Sequence, residues 1–171
     1  SAWGNAANGG TGAPLDVTTA TAGAEVISVA STGYAFAALK ADGSVSAWGN
    51  TLYGGSGVPA SATSPALGAE VVSIASTEYA FGVLHANGSI SAWGHYPVPA
   101  TTPPSDVTAP SAGAEVISIA STGFAFAVLK ANGAVSAWGA SLSGGIAPVE
   151  ATNPAVGLEV VSIASNAQAF A

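Results

Sequence analysis

The sequence predicts an all-β fold of four tandem, propeller-blade-like repeats of about 45 residues, the last of them incomplete. A β-branched Glu-Val-(Ile/Val)-Ser-(Val/Ile)-Ala-Ser segment occurs in every repeat, and an Ala-Phe pair follows it. Each tryptophan belongs to the tetrapeptide Ser-Ala-Trp-Gly. The four tryptophans are spaced 45 residues apart, at Trp3, Trp48, Trp93 and Trp138.

Three strands are predicted in each complete repeat, and the first repeat illustrates them. Residues 25–31 form a short β-branched run, which is typical of a strand. Residues 36–41 and 44–48 flank Asp42-Gly43, and this pattern predicts a hairpin with a type I′ turn. The Gly/Pro/Ser/Thr-rich stretch after each Trp-Gly, such as 49–68, predicts a long loop or a loop with a weak fourth strand.

The repeats divide the chain into 1–45, 46–90, 91–135 and 136–171. The fourth repeat stops within its second predicted strand, where it would leave an open edge. Because the sequence also begins within the pattern and without Met, we expect an excerpt of a longer repetitive polypeptide. Completion by another chain and fraying of the end are the alternatives.

The predicted core of every repeat is one Trp and one Phe among small residues. Ala, Gly and Ser allow neighbouring sheets to approach closely, while the aromatic rings fill the wider spaces. Each blade buries little by itself, so we expect stacking of blades to supply the core and all four tryptophans to have equivalent environments. The predicted core residues are Trp3, Trp48, Trp93, Trp138, Phe36, Phe81, Phe126 and Phe170.

Residues 26–50 resemble the repeat of the regulator-of-chromosome-condensation family, and the resemblance extends over all four copies. The shared string is Leu-x-x-Asp/Asn-Gly-x-Val-x-x-Trp-Gly. The family's small residue is replaced by Thr32, Thr77 and Thr122 in the first three copies, and its His is replaced by Ala35, Ala80, Ala125 and Ala169. The resemblance implies a β-propeller, usually of seven blades, or an open array of blades. It carries over no catalytic residue, and the family's nucleotide-exchange and chromatin roles need basic residues that are missing here.

Composition excludes several functions. Two Lys, no Arg and a net charge of -7 make the chain a poor ligand for nucleic acid, because it cannot neutralise phosphates. The absence of Cys excludes disulfides and zinc–thiolate sites, and no apolar run approaches the roughly 20 residues of a membrane helix. We therefore predict no catalytic residue, metal, cofactor, nucleic-acid partner or membrane insertion.

Two sets of polar residues are candidate sites. The repeated Glu25, Glu70, Glu115 and Glu159 are hypothetical ligands of a cation, but an Asp-rich loop is missing, which favours solvent-facing residues or bonds to nearby backbone N–H groups. His85 takes the place of Lys40 and Lys130, which predicts a solvated hairpin position. His95 is interpreted as a loop residue.

Sites of modification are predicted on the condition that the protein is secreted. Asn87-Gly88-Ser89 is an N-glycosylation sequon on a hairpin turn, although Asn-Gly is also there for the turn itself. The Ser/Thr/Pro-rich residues 97–111 resemble O-glycosylated stalk sequence. The candidate acceptors are Asn87, Thr101, Thr102 and Ser105.

These patterns favour a non-enzymatic structural segment of a secreted or cell-surface protein that self-assembles into a filament, sheath or adhesive stalk. Near-identical surfaces at regular intervals favour repeated self-contact, and a contact that does not close produces a filament. Its partners would be copies of itself or adjoining repeats of a longer chain. The alternative is a discrete β-propeller module that binds protein or glycans through Tyr53, Tyr96 and the Pro-rich loop. An enzyme is the least favoured hypothesis.

Overall fold

The computed structural model describes residues 1–19, 21–95 and 101–171, and it contains three antiparallel sheets of three strands each. The all-β prediction is confirmed, and the sheets form an open array of blades. Each sheet is a meander in which the second strand is central. The strands are β1 Val26–Ser31, β2 Ala35–Lys40, β3 Val45–Gly49, β4 Val71–Ser76, β5 Ala80–His85, β6 Ile90–Gly94, β7 Val116–Ser121, β8 Ala125–Lys130 and β9 Val135–Gly139.

Within the described residues, the long loops after each Trp-Gly contain short helices and no fourth strand. Proline precedes each one-turn α-helix, where its fixed φ suits entry into the helix. Residues 49–68, for example, contain a 3-10 turn and one α-helix. The α-helices are α1 Leu15–Thr18, α2 Ala60–Thr63, α3 Ser105–Thr108 and α4 Val149–Thr152, and the 3-10 turns are Ala6–Asn8, Thr51–Tyr53 and Ser141–Ser143.

The hairpins between β2 and β3 and at the equivalent places differ from the predicted type I′ turn. The Gly43 N–H donates to the Lys40 carbonyl at 2.9 Å, so the turn spans four residues and glycine comes last. Only Gly43 has a positive φ, of 75°, and Asp42 does not. The hairpin is a turn followed by a glycine bulge, because one additional loop residue removes the need for a second positive φ.

Neighbouring blades pack through unlike faces. We call the face with the Phe and Trp side chains the front face and the opposite face, rich in Ala, the back face. The front face of the second blade, with Phe81, Val83 and Trp93, packs on the back face of the first. The second and third blades repeat this arrangement around Phe126. The back face of the first blade consists mainly of Ala35, Ala37, Leu39 and Val45.

Hydrogen bonds between equivalent residues connect the blades in series. At one end of the strands, Gly33 N–H donates to Glu78 O at 3.0 Å, Glu78 N–H to Gly123 O at 2.8 Å, and Gly123 N–H to Ala167 O at 2.8 Å. At the hairpin end, the valine that begins the β-branched segment of one blade donates its N–H to the hairpin glycine of the preceding blade. Val71 N–H, for example, donates to Gly43 O at 3.0 Å. Every blade therefore contacts the next one with the same polarity.

Three of the four tryptophans are buried. Trp48, Trp93 and Trp138 are 8%, 5% and 4% exposed. The prediction of four equivalent tryptophans is wrong for Trp3, which is 85% exposed because no Phe of its own blade lies beside it among the described residues. Phe81 and Phe126 are fully buried, while Phe36 and Phe170 are half-buried.

Candidate interaction surfaces

No other blade in the described part of the chain packs on the front face of the first blade, and Ser1, Ala2 and Trp3 lie along it. Val26, Val29, Phe36 and Trp48 line a groove there together with Val17 of α1. In the second and third blades the equivalents of Val26 and Phe36 are buried by the preceding blade, with Val71 3% and Val116 4% exposed. The groove is therefore a surface that elsewhere in this molecule binds the back face of a blade.

A second groove, of about 300 Å³, lies in the fourth repeat beside the back face of the third blade. Gly144 and Phe170 line it, and a Cβ on Gly144 would lie 2.6 Å from the Phe170 ring. Gly9 and Phe36 approach each other in the same way, at 2.8 Å, and so do Gly54 and Phe81, at 2.7 Å. The fourth repeat thus contains the same close contact between a glycine and a phenylalanine as the first and second blades.

Aromatic side chains gather at the end of the strands opposite the hairpins. The rings of Tyr34 and Tyr53 stack at 4.5 Å, Tyr53 lies 5.3 Å from Tyr79, and Tyr79 lies 5.7 Å from Phe124. His95 lies 5.0 Å from Tyr53. All five residues are half-buried. We call these five residues the aromatic row. Desolvation raises the pKa of Tyr79, and the neighbouring Tyr34 and the Glu78 carboxylate raise it further.

The prediction that Lys40, His85 and Lys130 are solvated is wrong. They are 8%, 2% and 8% exposed, because they point to the front face of their blades and not away from the hairpin. The Lys40 Nζ donates to Asp16 Oδ2 at 2.7 Å, and the Ser46 hydroxyl donates to the same oxygen at 2.5 Å.

The third blade repeats this polar cluster with Asp106, Lys130 and Ser136. In the second blade, Ser61 replaces the aspartate and His85 replaces the lysine. The His85 ring contacts Ala69 O at 2.8 Å and Ser91 Oγ at 2.9 Å, and Ser91 contacts Ser61 Oγ at 3.0 Å. Ser61 and His85 therefore occupy the positions that an ion pair fills in the flanking blades, and Ser91 occupies that of Ser46 and Ser136. This equivalence favours a structural role for Ser91 and His85 over a nucleophile and base.

Replacing Asp106 with asparagine is expected to lower the free energy of unfolding by about 1–2 kcal/mol at neutral pH, because Lys130 keeps a buried charge without a counter-ion. Burial alone raises the pKa of Asp106, but hydrogen bonds from Lys130 and Ser136 outweigh it and lower the pKa below its usual value. A lowered carboxylate pKa stabilises the fold above the unfolded value of about 3.9, and this contribution is lost as pH falls through the folded value.

The measurement is urea unfolding of wild type and Asp106→Asn from neutral pH to about pH 2. The free energies of unfolding of the two proteins should converge at the acidic end. Glu150→Gln is the matched control, because Glu150 is the equivalent carboxylate of the fourth repeat and is paired with neither lysine. A constant difference between wild type and Asp106→Asn at every pH would contradict the assignment.

The repeated glutamates bind backbone groups, as favoured from the sequence. The carboxylate of Glu25 accepts from Gly23 N–H at 3.0 Å, and that of Glu70 accepts from Gly68 N–H at 3.1 Å. Glu115 and Glu159 make the same bond. Backbone hydrogen bonds lower the pKa of Glu70 and Glu159. Across the described ranges, no group of three or more His, Asp or Glu side chains is placed to hold a metal ion.

The candidate glycosylation sites stay predictions. Asn87 is exposed, and its Oδ1 accepts from the Ser89 N–H and hydroxyl, so its side-chain nitrogen remains available. Thr102 and Ser105 are exposed, and Thr101 is half-buried. Tyr96 and the Pro-rich residues 97–100, which were predicted as binding contacts, lie outside the described residues. None of the helices in the described part of the chain is long and apolar enough to span a membrane.

Comparison with solved structures identifies the class of fold. The chain is similar to human WBSCR16, with 22% identity and a TM-score of 0.57 over 87% of this chain and 44% of that one. It is similar to the ectodomain of the Physcomitrella patens receptor kinase CR4, with 22% identity and a TM-score of 0.54 over 84% and 36% of the two chains. It is also similar to Prp20p from Saccharomyces cerevisiae, with 21% identity and a TM-score of 0.53 over 76% and 34%.

Prp20 is yeast RCC1, so the fold is that of the RCC1-type β-propeller blade repeat, as the sequence resemblance implied. The chain spans less than half the length of each of these proteins. No protein-family profile and no curated protein sequence matches the chain.

Proposed function

We propose that the chain is a non-enzymatic, protein-binding blade array that assembles with further blades into a secreted or cell-surface filament, sheath or adhesive stalk. The observation that carries the proposal is the front face of the first blade, on which no other described blade packs. Its residues have equivalents that the second and third blades bury against a preceding back face. The front face of the first blade is therefore suited to bind the back face of another blade.

Charge and comparison support the same proposal. Only 6% of the residues are charged, so little electrostatic repulsion opposes association of the chains. Prp20p is described by its binding to Gsp1p and histones, which supports protein partners for a blade array in general. The lack of Cys and Met and the Ser/Thr/Pro-rich loops favour exposed extracellular material.

Replacing Val29 with aspartate is expected to abolish assembly, because the carboxylate would lie on the front face that another blade covers. Val29 is 54% exposed. The control is Val72→Asp, at an equally exposed valine (53%) that lies within the β-bulge between Val71 and Ser73. Sedimentation velocity and electron microscopy should show regular fibres for wild type and Val72→Asp, and single particles for Val29→Asp. Equal assembly of all three proteins would overturn the proposal.

A second candidate is a discrete module that binds protein or glycans through the aromatic row. The observation that favours it is the contact between five half-buried rings from several loops. Discrete round particles in the micrographs, together with loss of ligand binding in Tyr79→Ala, would favour this module over the filament.

A further inference from the structure

Two tyrosine rings are held against each other at one end of the first blade. Tyr34 lies in the connection between β1 and β2, and Tyr53 ends the 3-10 turn that follows β3. The ring centroids are 4.5 Å apart and the ring planes are inclined by 30°, which is a stacked arrangement. Both residues are half-buried, so solvent still reaches the pair.

Backbone groups fix the positions of the two tyrosines independently of their rings. The Tyr34 carbonyl accepts from Asn50 N–H at 2.9 Å, and the Tyr53 carbonyl accepts from the Thr32 hydroxyl at 3.2 Å. Each of these bonds joins the connection between β1 and β2 to the segment that follows β3. The fold therefore brings the two rings together, and unfolding would separate them.

The third blade contains the same framework without the two phenols. The Phe124 carbonyl accepts from Ala140 N–H at 3.0 Å, and the Ser143 carbonyl accepts from the Thr122 hydroxyl at 2.9 Å. Phe124 and Ser143 thus take the places of the two tyrosines. Because the same bonds form with Phe and Ser, the blade framework does not require either phenol hydroxyl, and the paired phenols are left without a structural role.

We propose that Tyr34 and Tyr53 are a site of dityrosine formation, in which a haem peroxidase uses hydrogen peroxide to oxidise the pair. Each phenol gives up one electron and its hydroxyl proton, and the two tyrosyl radicals couple through a new bond between their ortho carbons. The two ortho hydrogens then move to the oxygens, which restores both phenols. Hydrogen peroxide takes up the two electrons and the two protons and becomes two molecules of water.

Proximity favours coupling within this pair. Groups that are held in contact react as if each were present at a very high local concentration, so a radical on one ring meets the other ring before it meets a second molecule. Tyr79 is farther away, since its ring lies 5.3 Å from that of Tyr53 and 6.0 Å from that of Tyr34. The cross-link lies within one molecule and does not depend on assembly.

The bond would give this chain a covalent closure of a kind that its composition otherwise lacks. Many extracellular proteins are closed by disulfides, but this sequence contains no Cys. A link between Tyr34 and Tyr53 would close a loop around β2 and β3 and would restrict the unfolded chain, as a disulfide does.

Trypsin provides a direct test, because the two lysines place the tyrosines in different peptides. Cleavage after Lys40 and Lys130 gives residues 1–40, which contain Tyr34, and residues 41–130, which contain the other three tyrosines. The protein is treated with peroxidase and hydrogen peroxide, and the monomer is isolated, unfolded and digested. We expect dityrosine fluorescence in the monomer and a joined pair of peptides, 1–40 with 41–130, whose mass is lower than their sum by two hydrogen atoms.

Two variants identify the coupled rings. Tyr53→Phe keeps the ring and removes the phenol, so the joined peptides should be lost. Tyr79→Phe is the matched control, because it removes a phenol of the aromatic row that lies outside the stacked pair, and the joined peptides should form as in wild type. Wild-type peptides that stay separate after the peroxide is consumed would overturn the proposal, and so would joined peptides that persist in Tyr53→Phe. Because the monomer is analysed, failure of the chain to form fibres would overturn the proposed function and leave this result unchanged.

Discussion

Trp93→Ala is expected to lower the free energy of unfolding by about 3–5 kcal/mol, which is the usual cost of truncating a buried aromatic residue. Trp93 is 5% exposed, stacks on Phe81 and donates its indole N–H to Gly54 O. Truncation would leave a cavity at the contact between the first two blades and an unpaired carbonyl. Urea unfolding measured at a concentration where the protein is monomeric would give the value.

Trp3→Ala supplies the internal control for this experiment. Trp3 has the same flanking residues as Trp93 but is 85% exposed, so its truncation should change the stability of the monomer by less than about 0.5 kcal/mol. The difference between the two variants measures what a blade contact contributes. Equal effects of the two substitutions would contradict the described packing.

Gly88→Ala is expected to destabilise the protein by about 2–5 kcal/mol, since two costs add. Gly88 has a φ of 76°, which an alanine adopts only with strain. A Cβ there would also lie 2.4 Å from the Cβ of Glu115 on the next blade, so the two blades would have to move apart.

Gly113→Ala separates these two costs. Gly113 has a φ of 81°, but a Cβ there would meet nothing within 4 Å. Its substitution should cost only the backbone strain of about 1–2 kcal/mol. Thermal unfolding of both variants would show whether Gly88 is required for close approach. If the two glycines proved equally replaceable, the blades would not be in the contact described here.

The strands were predictable because each repeat carries its own strong local signals. The β-branched run at 25–31 became β1, and Asp42-Gly43 marked the hairpin between β2 and β3. The turn type was not predictable from the dipeptide alone, since the position of glycine in the turn depends on where strand pairing stops. The short helices were missed because a single turn shows no periodicity.

The polar clusters were missed for a different reason. Lys40 is the last residue of β2 and precedes a turn, which locally indicates a solvated position. Its burial depends on Asp16, which lies 24 residues earlier. The signal that would have revealed the contact is the joint change in the second copy, where Ser61 replaces Asp and His85 replaces Lys. The aromatic row was not predicted, because its rings come from separate loops that are far apart in the sequence.

The hydrogen bonds that join successive blades also bear on how such a gene can change its length. Each junction between neighbouring blades repeats the same backbone bonds at equivalent positions, so the junctions are chemically the same. Unequal recombination that inserts or deletes one repeat of 45 codons would preserve every remaining junction. The one-residue-shorter loop of the fourth copy, with Val160 N–H still donating to Gly133 O at 3.0 Å, shows that small length changes between strands are tolerated too. We therefore expect variants with different numbers of blades to keep the same contacts between neighbouring blades.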